Sequence, residues 1–110
     1  MVDPMEIGLL TKWRRDLHRI PELGFDLFKT HAYVKAALEE MGYVTRTVAK
    51  TGLVAVREGT SGKTVAFRSD MDALPVNEHT GRDFKSLHDG RMHACGHDGH
   101  MATLLGFARH

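Results

Sequence analysis

The stretch "GRMHACGHDGH" (90–100) gathers three histidines, an aspartate and the only cysteine of the chain into eleven residues. Thiolate and imidazole together suit zinc and other divalent transition metals, and a bound ion would hold the thiol deprotonated near neutral pH. Alternate side chains of an extended segment share a face. His93, Cys95 and His97 are therefore expected to project the same way, with Gly96 leaving room for close approach. The same residues also spell a nucleophilic thiol, because His93 or His97 could activate Cys95. Taken singly, a cysteine is most often a small buried hydrophobe and a histidine an ordinary core or surface side chain. Clustering between a loop and a helix favours the metal reading; the pattern alone leaves the thiol open.

A second stretch, "RSDMDALP" (68–75), sets Asp70 and Asp72 two residues apart at the end of an expected strand, where both carboxylates can face one side. One could orient a ligating imidazole through its second nitrogen while the other binds metal or caps the turn. The competing reading is a pair of turn-forming aspartates ahead of Pro75.

The elements that must position these residues follow from periodicity. Asp3, Pro4 and Glu6 spell a helix start, with Asp3 as cap. Leu10, Trp13, Leu17 and Ile20 then form an apolar stripe running towards Pro21, and Lys12, Arg14, Arg15 and Arg19 are expected to face water. After "PELGF" (21–25), Tyr33, Val34, Ala37, Leu38 and Met41 predict a second helix closed by Gly42. From Tyr43 the period shortens to two, and "LVAV" (53–56) and "TVAF" (64–67) add short runs rich in strand formers. The expectation is a three-stranded antiparallel meander. Asn77 to Arg91 shows no periodicity and reads as a long loop, a common place for function. Met101, Leu104, Leu105 and Ala108 predict a last helix beginning just after the histidine cluster.

Composition bounds the partners. A chain of 110 residues and 12.3 kDa holds one modest domain, and 42% hydrophobic with 26% charged residues is ordinary for a soluble globular protein. Fifteen basic against fourteen acidic residues give a net charge of +1 and no electrostatic case for nucleic acid or an anionic membrane. No run approaches the roughly 18 apolar residues of a membrane span, the start lacks the pattern of a secretory signal, and one cysteine cannot make an internal disulfide. The cytoplasm is the expected compartment.

Together "LHRIPELGF" (17–25), "TGLVAV" (51–56), "RSDMDALPVNE" (68–78) and "GRMHACGHDGHMATLLGFA" (90–108), in this order, closely resemble the metal-dependent amidohydrolase branch of the aminoacylase and carboxypeptidase G superfamily. That branch includes hippurate hydrolases, N-acyl-amino-acid amidohydrolases, auxin-conjugate hydrolases and N-acetyldiaminopimelate deacetylases. The resemblance covers nearly the whole chain. It implies an α/β, zinc-peptidase-like catalytic domain with two divalent ions (Zn, Mn, Ni or Co) that activate a water for attack on an amide carbonyl. The substrate would be a small N-acyl amino acid or a peptide-like molecule.

Residue by residue, the resemblance makes Cys95 and His97 metal ligands and Asp72 the catalytic-site aspartate that orients the metal cluster. Asp70 stands where related branches carry a ligating histidine and receives no direct metal role. His93 and His100 lie in the motif without an assigned contact, and Asp98 is expected to support a ligand. A general-base glutamate is the missing piece: all six glutamates precede the motif and no acidic residue follows Asp98. Residues 1–110 are therefore expected to be the N-terminal portion of one catalytic domain. Such a piece would bind metal weakly, be inactive by itself and expose a sheet edge and apolar patches, with homo-oligomer formation left open. The competing expectation is a non-catalytic fragment serving as a binding or assembly module.

Overall fold

The computed structural model describes residues 3–110. Five regular elements follow one another: α1 (Pro4–Arg19), α2 (Phe28–Glu40), β1 (Val44–Val48), β2 (Gly52–Val56) and α3 (His97–Ala108). The start of α1 is as expected, for the Asp3 carboxylate accepts the Met5 amide at 3.0 Å with Pro4 in the first turn. Trp13 and Leu17 of α1 pack with Val34, Ala37 and Leu38 of α2 and with Met101, Ala102 and Leu105 of α3. The third helix touches both others and so forms the spine of the core. Gly42, at φ 93°, turns the chain out of α2 into the sheet.

The N-terminus of α2 has no capping side chain of its own, and Glu22 of the "PELGF" turn supplies one. Its buried carboxylate accepts the amides of Thr30 at 2.7 Å and Lys29 at 3.2 Å, so two otherwise orphaned donors and the positive helix end meet a negative charge.

The sheet is a two-stranded antiparallel hairpin, Val44 facing Val56 and Val48 facing Gly52. Its tip is docked, because the Thr51 hydroxyl donates to the Phe25 carbonyl at 2.6 Å and accepts the Leu27 amide at 3.3 Å. The expected third strand is corrected here: Thr64–Phe67 pairs with no strand among the described residues and all four are exposed. Strand propensity reports how well a side chain suits a pleated surface, and without a ladder partner it makes no strand. Phe67 instead lays its ring 4.4 Å from that of Phe107 on α3.

From Arg57 to Gly96 there is no helix and only one isolated bridge, Leu74 opposite Met92, closed by amide-to-carbonyl bonds of 2.9 and 3.0 Å. That bridge pins the two ends of the expected loop. It sets "DMDA" beside "MHAC". The Ala73 amide also donates to the Glu22 carbonyl at 2.8 Å, and the Leu87 amide to the Arg19 carbonyl at 2.8 Å, so the irregular segment is tied to the end of α1. No helix among the described residues is long and apolar enough to cross a membrane.

Candidate metal centre

Helix α3 begins at His97, inside the histidine cluster and not after it. Gly96, at φ 106°, takes the left-handed conformation that swings the chain from the irregular segment into the helix. This turn ends the alternation assumed for an extended segment. His93 is consequently buried, Cys95 is exposed and His97 stands in the first helical turn, so the three do not share one face.

His97 meets both aspartates of "RSDMDALP". Its Nδ1 lies 2.8 Å from the Asp72 carbonyl oxygen and 3.1 Å from Asp72 Oδ1, both of which can only accept, so Nδ1 carries the proton. The Nε2 lone pair is thereby left free. Asp70 Oδ2 lies 3.8 Å from Nε2, and the other oxygen of Asp70 is held by Arg68. His100 is exposed, with its ring centroid 5.8 Å from that of His97.

A fixed imidazole with a free nitrogen and an exposed thiol two residues away fit a divalent transition metal by donor chemistry. They form an incomplete set, for no group of three or more His, Cys, Asp or Glu side chains able to hold a metal ion occurs among the described residues. His93 lies beneath with neither ring nitrogen partnered among the described residues. Burial lowers its pKa. The charges of His18 and His97 add to that effect against Asp98 and Asp72, and the ring is neutral.

Asp98, next to His97, is buried and belongs to a polar cluster that the sequence reading did not find. Its Oδ1 accepts the Gly99 amide at 2.9 Å, while Oδ2 faces His18 Nδ1 at 2.8 Å and Arg14 Nε at 3.0 Å. His18 Nε2 lies 2.9 Å from Glu78 Oε1. The side chains of His18, Asp98 and Glu78 are each at most 3% exposed. Burial by itself would raise the Glu78 pKa, but hydrogen bonds from Thr80, Ser86 and His18 and the His18 charge outweigh it and hold the carboxyl below its usual range. Arg14 thus leaves the solvated face expected of it. The available signal was its spacing: Arg14 and His18 stand one turn apart, along the edge of the apolar stripe.

The chain resembles known proteins in sequence and in fold. Residues 66–110 match the model of peptidase family M20/M25/M40. An N-acetyldiaminopimelate deacetylase of Streptococcus thermophilus is 50% identical over 102 residues, covering 88% of this chain and 27% of that protein. An uncharacterized hydrolase of Staphylococcus epidermidis is 46% identical over 104 residues, covering 94% and 27%. Among solved structures, a dinuclear metal-binding peptidase of the M20 family from Bacillus subtilis superposes with a TM-score of 0.91 at 40% identity, over 98% of this chain and 31% of that one. The chain therefore spans about a quarter to a third of the length of these relatives. Residues 66–110 thus match the M20/M25/M40 family in sequence, and almost the whole chain resembles an M20 peptidase in fold.

Proposed function

We propose that the protein carrying this chain is a metal-dependent hydrolase that cleaves the amide bond of small N-acyl amino acids or related peptide-like substrates, as the name of the deacetylase relative suggests. The observation that carries this reading is His97, fixed through Nδ1 by Asp72 and presenting Nε2 beside an exposed Cys95. In this reading Cys95 and His97 donate to a pair of divalent ions, zinc, manganese, nickel or cobalt, whose dinuclear arrangement the Bacillus subtilis relative exemplifies. When bound, the ions supply Lewis acidity towards water and the scissile carbonyl.

The remaining steps belong to side chains. Asp72 keeps the His97 proton on Nδ1 and so keeps Nε2 a donor to metal. Asp70, braced by Arg68, faces the same nitrogen from the outside. His93 stays neutral and adds no positive charge next to the cations. Residues 3–110 supply neither a complete ligand set nor an assigned general base, so by themselves they are proposed to be catalytically silent. The setting proposed is cytoplasmic, with no nucleic acid or membrane partner.

The test is an assay of the complete protein, stripped with a chelator and reloaded with each ion, against N-acetyl- and N-benzoyl-amino acids and N-acetyldiaminopimelate. Metal-dependent release of the free amino acid is expected. Inactivation by iodoacetamide with no effect of chelation would instead favour the thiol enzyme, and retention of full activity by Cys95→Ala would sink the metal assignment.

A further inference from the structure

His18 is a buried histidine in an unusual setting. Each ring nitrogen faces a carboxylate oxygen, Asp98 Oδ2 on one side and Glu78 Oε1 on the other. Ionised carboxylates only accept, so the ring must donate from both nitrogens and carries a positive charge. With Arg14 the four charges balance, two against two. Phe84 of the irregular segment closes the cluster, its ring edge-on to His18 at 5.7 Å with the Arg14 and Arg15 guanidinium groups over it at 5.2 and 4.7 Å. Burying such a set costs desolvation that apolar side chains of similar volume would avoid, and a fully satisfied polar network contributes chiefly by fixing one arrangement.

What it fixes is shown by where its members sit. Asp98 follows His97 in the first turn of α3; Glu78 lies in the segment between Leu74 and Met92; His18 and Arg14 belong to α1. We propose that His18 is a positioning residue for the metal donors: by bridging Asp98 to Glu78 it locks the start of α3 against the chain that directly follows "DMDALP", and so holds His97 in register with Asp72. This rests on the reading of Cys95 and His97 as donors given above. Asp72 grips the His97 ring from one side, and His18 holds its neighbour in sequence from the other.

The experiment titrates the metal-stripped complete protein with Co²⁺ and follows the thiolate-to-cobalt charge-transfer band and the d–d bands. Wild type should show both. His18→Ala should weaken Co²⁺ binding by about 10- to 100-fold, as loss of a supporting partner does at metal sites. It should also shift the d–d pattern, and where turnover is measurable it should lower kcat with KM little changed. Should His18→Ala fail to fold, Arg14→Ala and Glu78→Gln carry the test, with weaker Co²⁺ binding and the same spectral shift in smaller degree. Variants that lose thermal stability but keep wild-type Co²⁺ affinity and spectra would reduce the cluster to an ordinary structural ion network and overturn the proposal, as would a wild type with no thiolate band. A wild type that shows the band but hydrolyses no N-acyl amino acid overturns only the proposed activity.

Discussion

Two histidine–carboxylate groups meet α3 at the consecutive residues His97 and Asp98 and live in different surroundings. His97 and Asp72 form a pair whose aspartate side chain is 48% exposed, whereas His18, Asp98 and Glu78 are almost wholly shielded from water. The exposed pair leaves one imidazole nitrogen unused by Asp72; the buried group spends both. Spare valence marks the group that can take up a ligand, and exhausted valence marks the group that braces it.

The largest separation is expected between Cys95 and Glu78. Cys95→Ala should drop hydrolysis by the complete protein to background while the unfolding free energy of the metal-stripped protein stays within about 0.5 kcal/mol, since the side chain is exposed. Glu78→Ala should act mainly on stability, costing about 3 kcal/mol by leaving a buried imidazolium half unpaired, and should reduce hydrolysis without abolishing it. Urea unfolding and activity, measured side by side on both variants, decide it. Equal destabilisation by the two changes would erase the distinction between a working pair and a bracing one.

A smaller effect should come from Asp72→Asn. The asparagine can still present a side-chain oxygen to Nδ1, but the charge is lost, and activity or metal affinity should fall by about 10- to 100-fold. Stability should change by less than about 1 kcal/mol, as for exposed ion pairs. Metal titration with calorimetry reads the first quantity and chemical unfolding the second.

The two groups were not equally legible in the sequence. Cys95, His97 and the two aspartates stand close together along the chain at spacings that name their chemistry, and the bridge of Leu74 with Met92 needs only to bring the two stretches together. The buried group joins His18 to partners 60 and 80 positions away, and its one local signal, the one-turn spacing of Arg14 and His18 along the edge of the stripe, names neither partner. Helices α1 and α2 could be read because their apolar stripes and end signals are local. Two boundaries were not. "TVAF" has strand-forming side chains, but a strand depends on a distant partner. The start of α3 depends on Gly96 adopting a positive φ, which admits the polar residues His97 and Asp98 to the helix ahead of its first apolar position.

The smallest and most discriminating effect is on acid stability. Glu78 and Asp16 both have pKa values lowered in the folded protein. For Asp16, burial alone would raise the value, but hydrogen bonds from Lys12 and Tyr33 and the charges of Lys12 and Arg19 outweigh it. A carboxyl with a lowered folded pKa binds its proton more weakly folded than unfolded. Its contribution is therefore complete above the unfolded value, near pH 4 to 4.5, and is lost as pH falls through the folded one. Both groups should steepen the acid limb of the stability curve. They should differ in their response to salt: Asp16 is 25% exposed and pairs with the solvent-facing Lys12 and Arg19, whereas the Glu78 side chain is 3% exposed and pairs with the buried His18. Raising the ionic strength to 1 M should flatten the part removed by Asp16→Asn and leave the part removed by Glu78→Gln nearly intact, because screening reaches only charges that water reaches. Equal salt sensitivity of the two parts would mean that water enters the His18 cluster, and the bracing role argued for it would lose its physical basis.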